Sequence, residues 1–258
     1  MKKTLIIFSF FLLGNVGCTF SDPEMMELLQ EIKAQNDKLL QLHGRSPVPT
    51  NGLVGWWPFN GTANDDSGNG FNGTVNGATL TTNRLGTANS AFEFNGSNGH
   101  ITVNGNQRFV SPQMTTSAWV LFNQLDSNGL QYLVLGNSTN AAWAYSYRSP
   151  NNSNNLLKNQ GCGLIVNHDW NFTFSPNKWY HVAYVISDSA ISSYVNGVFI
   201  SSQPSAPFKS ECSSYILNIG LDVFGGNEYL NGKMDDIAIW DRALTPDEIL
   251  KIYKGENF

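Results

Sequence analysis

Between Asn137 and Trp170 the chain carries Trp143, Tyr145, Tyr147, His168, Asp169 and Trp170 among many Asn and Ser residues. Those side chains suit a carbohydrate. An aromatic face covers the apolar side of a pyranose ring, and amide and carboxylate groups take its hydroxyls. The stretch reads as a loop-borne cluster in which Trp143, Tyr145, His168, Asp169 and Trp170 would touch a sugar. The spacing of Trp143, Tyr145 and Tyr147 is also that of a strand, so a second reading, with the rings covering one face of a sheet, stands beside it. Nucleophilic chemistry has less support. His43, His100, His168 and His181 come with no GxSxG and no reactive-cysteine context, and His181 lies in an apolar run that reads as packed core. Gly68-Asn-Gly70-Phe-Asn-Gly73 satisfies GxGxxG, yet no helical pattern follows it, so it is a turn and not a dinucleotide fingerprint.

The three cysteines are Cys18, Cys162 and Cys212. Lys2 and Lys3 precede an apolar run from Leu5 to Leu13 and then small residues, the layout of a secretory signal over residues 1–17. Asn15-Val16-Gly17-Cys18 resembles the end of a bacterial lipoprotein signal, and the resemblance implies lipidation at Cys18 and an extracytoplasmic lipoprotein of the outer membrane or cell surface, held to the membrane by its lipid; an ordinary secretory signal cleaved nearby, with Cys18 incidental, is the other reading. With Cys18 consumed, Cys162 and Cys212 remain as a pair, and a disulfide between them is expected in that compartment. A metal site is the rival use of the pair, but no CxxC accompanies them.

The elements that must position these groups fall into a stalk and a body. Residues 18–44 read as helix: Ser21 and Glu24 have capping-box spacing, and Gly44 is placed to end it. Met25, Leu28, Ile32, Gln35, Leu39 and Leu42 make a heptad seam, so residues 21–43 form either a short oligomeric coiled coil or a lone amphipathic helix. Residues 45–50, with two prolines, read as a stiff linker, and 51–258 as the body. The whole chain of 258 residues has 31 Asn, 24 Gly, 41% hydrophobic and 14% charged residues, the composition of a turn-rich all-β protein. Its net charge of −5 has no basic block, which argues against nucleic acid as a partner. Strands are expected over 53–59, 91–94, 101–103, 116–122, 132–135, 179–186, 191–195, 198–201, 215–221 and 234–240. Asn196-Gly197 should close a hairpin, and Thr245 to Tyr253 should form a short terminal helix with Thr245 as N-cap.

Several phrases in the body resemble one family. Gly52-Leu-Val-Gly-Trp-Trp-Pro-Phe-Asn60, Asp65-Asp-Ser-Gly-Asn-Gly70 and Ala91-Phe-Glu-Phe-Asn-Gly96 are similar to the opening of a bacterial laminin-G-like, concanavalin-A-like domain. Lys178-Trp-Tyr-His-Val-Ala-Tyr184, Tyr194-Val-Asn-Gly197 and Asn231-Gly-Lys-Met-Asp-Asp-Ile-Ala-Ile-Trp-Asp-Arg-Ala-Leu-Thr-Pro-Asp-Glu-Ile249 match its closing half, and the end is also similar to pentraxins. The resemblance implies an all-β, two-sheet antiparallel jelly roll used in sugar binding or adhesion, often with a structural calcium. It assigns that calcium to Asp65, in a glycine-rich turn, to Asp235 and Asp236, and to Asn60, where relatives often have Asp. Neighbouring strand residues point to opposite faces, so one of Asp235 and Asp236 should meet the metal and the other brace a turn. Relatives that cleave β-glucans use Glu-x-Asp-x-x-Glu, which does not occur here, so no catalytic residues are assigned. The sequence thus points to a surface lipoprotein that binds glycans or another extracellular polymer. A protein-binding adhesion module facing other envelope proteins is the alternative, and a glycoside hydrolase a third reading.

Overall fold

The computed structural model describes residues 47–105, 109, 111–124, 130–138, 141–148, 156–160, 167–169, 172–204, 216–222 and 228–258; within 130–169, and at 222 and 228, only the backbone is described. One compact unit spans Pro47–Phe258. The signal and stalk expected over residues 1–44, with Cys18, lie outside the described residues, as do Cys162, Cys212 and Trp170.

In chain order the strands are β1 Leu53–Trp57, β2 Gly73–Asn76, β3 Thr79–Thr81, β4 Ala91–Asn95, β5 His100–Asn104, β6 Met114–Phe122, β7 Leu130–Ser138, β8 Ala141–Arg148, β9 Leu156–Gln160 and β10 Asn167–Asp169. They continue as β11 Trp179–Ile186, β12 Ala190–Val195, β13 Val198–Pro204, β14 Ile216–Ile219, β15 Leu221–Asp222, β16 Glu228–Tyr229 and β17 Asn231–Trp240, before the helix α1, Pro246–Lys254. Two antiparallel sheets result. The first has the order β13-β12-β11-β6-β17-β4-β3, with β1 also paired to β17. The second runs β10-β9-β8-β7-β14-β5-β2, and β15 and β16 form a small ribbon. This is the all-β sandwich expected from the alternating runs.

The alternation explains the layers. On β11, Tyr180, Val182, Tyr184 and Ile186 enter the core between the sheets, where they meet Ile101, Val103, Leu217 and Ile219 of the second sheet. The opposite face of β11 carries Ala183 and Val185, which join Tyr194, Ala238 and Trp240 in a second apolar layer under α1. Helix α1 begins as its sequence dictates. Thr245 Oγ1 accepts the Glu248 N–H, Glu248 reaches back to the Thr245 N–H, and Pro246 fills the first turn. Ile249, its fully buried residue, seals the layer.

Residues 47–50 differ from the expected linker. Val48 is only 5% exposed and packs in the layer beneath α1, and Trp240 Nε1 donates 2.7 Å to the Pro49 carbonyl. The indole N–H of a buried tryptophan needs an acceptor, and this segment supplies it, so the body starts at Pro47 and not at Asn51.

Candidate functional site

The strand β17 reads Met234-Asp-Asp-Ile-Ala-Ile239, and Met234, Ile237 and Ile239 are all 0% exposed. Strict alternation would put Asp236 on the same face as Met234 and turn both isoleucines away from it. Instead the register slips between Asp235, opposite Trp119, and Ala238, opposite Ser117. Asp236 takes φ 47° and the strand absorbs one additional residue as a bulge. The isoleucines stay inside, and both carboxylates are brought to one cation. Arg84 Nη1 lies 2.6 Å from Asp235 Oδ2 and 2.8 Å from Asp236 Oδ2. The expectation that this pair points to opposite faces is therefore corrected, because alternation fails where a bulge interrupts the pleat.

Arg84 reaches the pair from the β3–β4 loop. Asn83 Oδ1 shapes that loop by accepting the N–H groups of Leu85 and Thr87 at 3.0 and 2.9 Å. The guanidinium carbon sits 4.5 Å above the Trp119 ring, and Trp119 stacks on Tyr253 of α1 at 5.7 Å. His181, Trp119 and Asp235 stand in one cross-strand row. His181 is 0% exposed, its Nε2 lies 2.8 Å from Ser117 Oγ, and its Nδ1 has no partner among the described residues. Burial, and then the Arg84 charge, pull its pKa down to about 3, so it is neutral. Burial pushes Asp235 up to about 7, with the Asp236 charge adding to the rise and Arg84 opposing it. Asp236 is raised too. Burial there outweighs Arg84 and the dipole of the Trp56 indole N–H, which makes no full hydrogen bond. The Ser117–His181 contact has the look of a nucleophile and base, but at 1% and 0% exposure neither group meets a substrate.

The other residues assigned to calcium are elsewhere engaged. Asp65 accepts three backbone N–H groups, from Trp56 at 3.0 Å, Ser67 at 2.9 Å and Phe71 at 2.9 Å, and so ties its glycine-rich turn to β1. Asn60 is exposed at the end of the turn after β1. Among the described residues no three His, Cys, Asp or Glu side chains converge as metal ligands. Calcium takes six to eight oxygens, and these carboxylates are spent on N–H donors and on a guanidinium, so the residues as placed do not fit that ion.

The second sheet offers a different surface. Ile101, Val103, Leu217 and Ile219 face the core. The alternate residues form an outward polar row that begins at exposed Thr74, pairs it with half-buried Thr102, and ends at Asn218, which is covered to 4% exposure. Asn76 Nδ2 and Thr102 Oγ1 are 3.5 Å apart, and Thr102 Oγ1 and Asn218 Oδ1 are 3.4 Å apart. Bonds this long leave much of each group's capacity unspent. His100, in step with Thr102 on β5, lies 6.1 Å from the Tyr229 ring. By backbone register the outward row continues through Leu135, Ala144, Lys158 and Asn167.

Register also places most of the residues assigned to sugar. Tyr145 and His168 both pair Leu157, in the row that contains the buried Ile101 and Ile219. Trp143 pairs Gly136, in the row of the buried Val103 and Leu217. Asp169 pairs Leu156, in step with Lys158 and hence with the outward row. The sheet thus brings β8 and β10 into one surface but splits their residues between two sets of rows.

The profile of the concanavalin A-like lectin/glucanases superfamily, in its laminin-G form, matches residues 95–250. The chain belongs to that superfamily. Domain 4 of AbnA, an extracellular arabinanase of Geobacillus stearothermophilus solved with arabinotriose, superposes with TM-score 0.64 at 21% identity, covering 78% of this chain and 98% of that one. The binding domain of Paraclostridial Mosquitocidal Protein 1 gives 0.62 at 23%, covering 79% and 52%. The binding domain of botulinum neurotoxin DC, solved with rat synaptotagmin II, gives 0.61 at 17%, covering 80% and 52%. These likenesses establish the fold. Adhesion G-protein coupled receptor D1 of Homo sapiens is 38% identical over 85 residues, 31% of this chain and 10% of the receptor, so the match spans about a tenth of that relative's length.

Sequence reasoning missed Arg84, which is separated from Asp235 by 151 residues. The signal that could have found it is the acidic pair itself, since a carboxylate pair inside an apolar strand demands a cation. Asn218, Thr102 and His100 were also missed, because single polar residues within β-branched runs read as ordinary alternation.

Proposed function

We propose that this protein is a non-catalytic glycan-binding module of the cell surface, with a neutral saccharide held on the outward face of the seven-stranded sheet. The observation that carries this reading is the accessible pair Thr74–Thr102 with His100 and Tyr229 beside it. The Thr74 and Thr102 hydroxyls and the second ring nitrogen of His100, whose Nδ1 lies 3.1 Å from the Asn98 carbonyl, stand next to an aromatic edge and match the hydroxyls and apolar faces of a sugar ring. Family membership supports it, as does arabinotriose in the AbnA domain. The lack of catalysis is supported by buried Asp235 and part-exposed Asp236, two carboxylates that share one guanidinium and do not flank a groove. The lipidated Cys18 and a Cys162–Cys212 disulfide belong to the same proposal. Intact-mass analysis of the membrane-extracted protein, before and after reduction, checks both.

The test is a glycan array probed with the soluble chain from Thr19. Thr102→Ala and His100→Ala should each weaken binding about tenfold or more at unchanged fold. Retained affinity in both, with loss in Trp143→Ala, would move the site to β8. Absence of binding to any glycan would favour the second reading, a protein-binding adhesion module. That reading has its own observation: Val198 and Phe199 stand side by side at the β12–β13 hairpin, 60% and 53% exposed.

A further inference from the structure

The acidic bulge of β17 is a place where a cation is required. Two carboxylates come together on a strand whose flanking residues Met234 and Ile237 are 0% exposed, and the backbone adopts φ 47° at Asp236 to bring them there. The Asp235 side chain is 2% exposed and that of Asp236 30%, so two unpaired charges here, the first of them out of reach of water, would be costly. The cation present is a side chain. One nitrogen, Arg84 Nη1, bridges oxygens of both carboxylates at 2.6 and 2.8 Å, as a single ion would. The guanidinium is fixed from the other side by the Trp119 face at 4.5 Å, so its position is set independently of the acids. Its loop is closed on itself, since Asn83 and Thr87 bond backbone to backbone at 3.0 Å and Ser90 N–H bonds Thr81 O at 3.0 Å. Asp65, which the resemblance assigns to the same ion, is held by three N–H donors of its own turn.

We infer that Arg84 is a built-in counter-cation that does the work of a metal ion at the Asp235–Asp236 bulge, so that the β3–β4 loop, β6 and β17 are locked together without any divalent cation. A guanidinium suits the role because it stays charged when partly desolvated, stacks on an aromatic face, and offers directed donors to carboxylates. The device holds the first sheet whether or not the second sheet binds glycan, so its failure and that of the proposed function are distinguishable.

The experiment is thermal unfolding of the soluble chain from Thr19 in EDTA and in 5 mM calcium, for the native sequence and three variants. The native protein should melt within about 1 °C in the two buffers. Arg84→Met should lower Tm by about 10 °C, the scale of a broken buried ion pair in a domain of this size. Asp235→Asn with Asp236→Asn in the Arg84→Met background should restore most of that loss, because the unpaired charge is then gone. Arg84→Lys, which keeps the charge but not the stacked plane, should fall between native and Arg84→Met, and it preserves the test if Arg84→Met fails to fold. A native Tm several degrees higher in calcium, lost in Asp236→Asn, would overturn the inference by showing a metal at the bulge. Failure of the paired Asn substitutions to rescue Arg84→Met would overturn it by showing that Arg84 acts through packing alone.

Discussion

At the scale of single residues, His181 and Asp235 are held in unusual states on one sheet face, and their effects on stability have opposite signs. His181 is drawn down to about 3, first by burial and then by Arg84, while an unfolded histidine titrates near 6.5. The unfolded chain therefore binds the additional proton through that window. The His181 contribution is present above about pH 6.5 and is lost as pH falls toward 3. Asp235 is pushed up to about 7 from 3.8, so its contribution is present at low pH and is lost as pH rises through 7. Between pH 4 and 6.5 the two slopes oppose each other. His181→Gln should remove the histidine slope, and urea denaturation at a series of pH values should then show stability falling steadily from pH 4 to 7. A native-like flat or rising profile in that variant would mean that His181 is not the acid-sensitive group. Histidine 181 was legible as core because it stands in an apolar strand phrase. The acidic pair was legible as chemistry, but its geometry was not: a bulge is specified by where Ile237 and Ile239 must go, and that depends on partner strands far away in sequence.

At the scale of elements, legibility followed the strength of local signals. All ten strands expected from β-branched and aromatic runs are present, as is the hairpin at Asn196 and Gly197, whose φ angles are 51° and 75°. Strands β2, β3, β9, β10 and β16 escaped because they are two to five residues long and carry mostly polar residues in place of apolar runs; β8 was the second reading of the Trp143–Tyr147 spacing, and the run 215–221 is split between β14 and β15. The start of helix α1 was readable from its capping box and first-turn proline, which act locally; its end falls at Lys254, one residue beyond the expected Tyr253, where Gly255 takes the left-handed conformation. Thr245→Ala should cost about 1 kcal/mol in urea unfolding, the usual value of a lost N-cap. Glu248→Ala should cost more, since Glu248 also receives Arg242 through two bonds of 3.0 and 2.6 Å. At the β17–β6 interface, Gly232→Ala should abolish soluble expression or lower Tm severely, because the added Cβ would run into the Leu121 carbonyl oxygen of the neighbouring strand. A Gly232→Ala protein with native Tm would show that the two strands can part there at little cost.

At the scale of the whole molecule, one apolar layer lies between the sheets and another beneath α1, and the second is completed by the segment that precedes β1. Composition alone made residues 47–50 a linker, since two prolines in six residues look like a spacer. The physical reason they dock is Trp240, buried at 0% and needing an acceptor for its N–H. A chain shortened to start at Gly52 should therefore melt several degrees lower than one starting at Pro47, with Trp240 fluorescence shifted to the red; equal melting would show that the strap contributes nothing. The polar outer face of the second sheet belongs to this scale as well. It is assembled from β2, β5 and β14, which are scattered over nearly 150 residues of chain, so no local motif announces it.

The strap has a mechanical consequence. The donors from Trp240 to Pro49 and from Arg242 to Asn51, 2.7 and 2.8 Å long, join the entry of the chain to its last strand across a sequence separation of 191 residues. Tension applied at the N-terminal side of Pro47 loads these two bonds before it reaches the ladder between β1 and β17. They act as a fuse: when they part, residues 47–52 can straighten toward their full length of about 20 Å, at about 3.4 Å per extended residue, while the sandwich behind them remains whole.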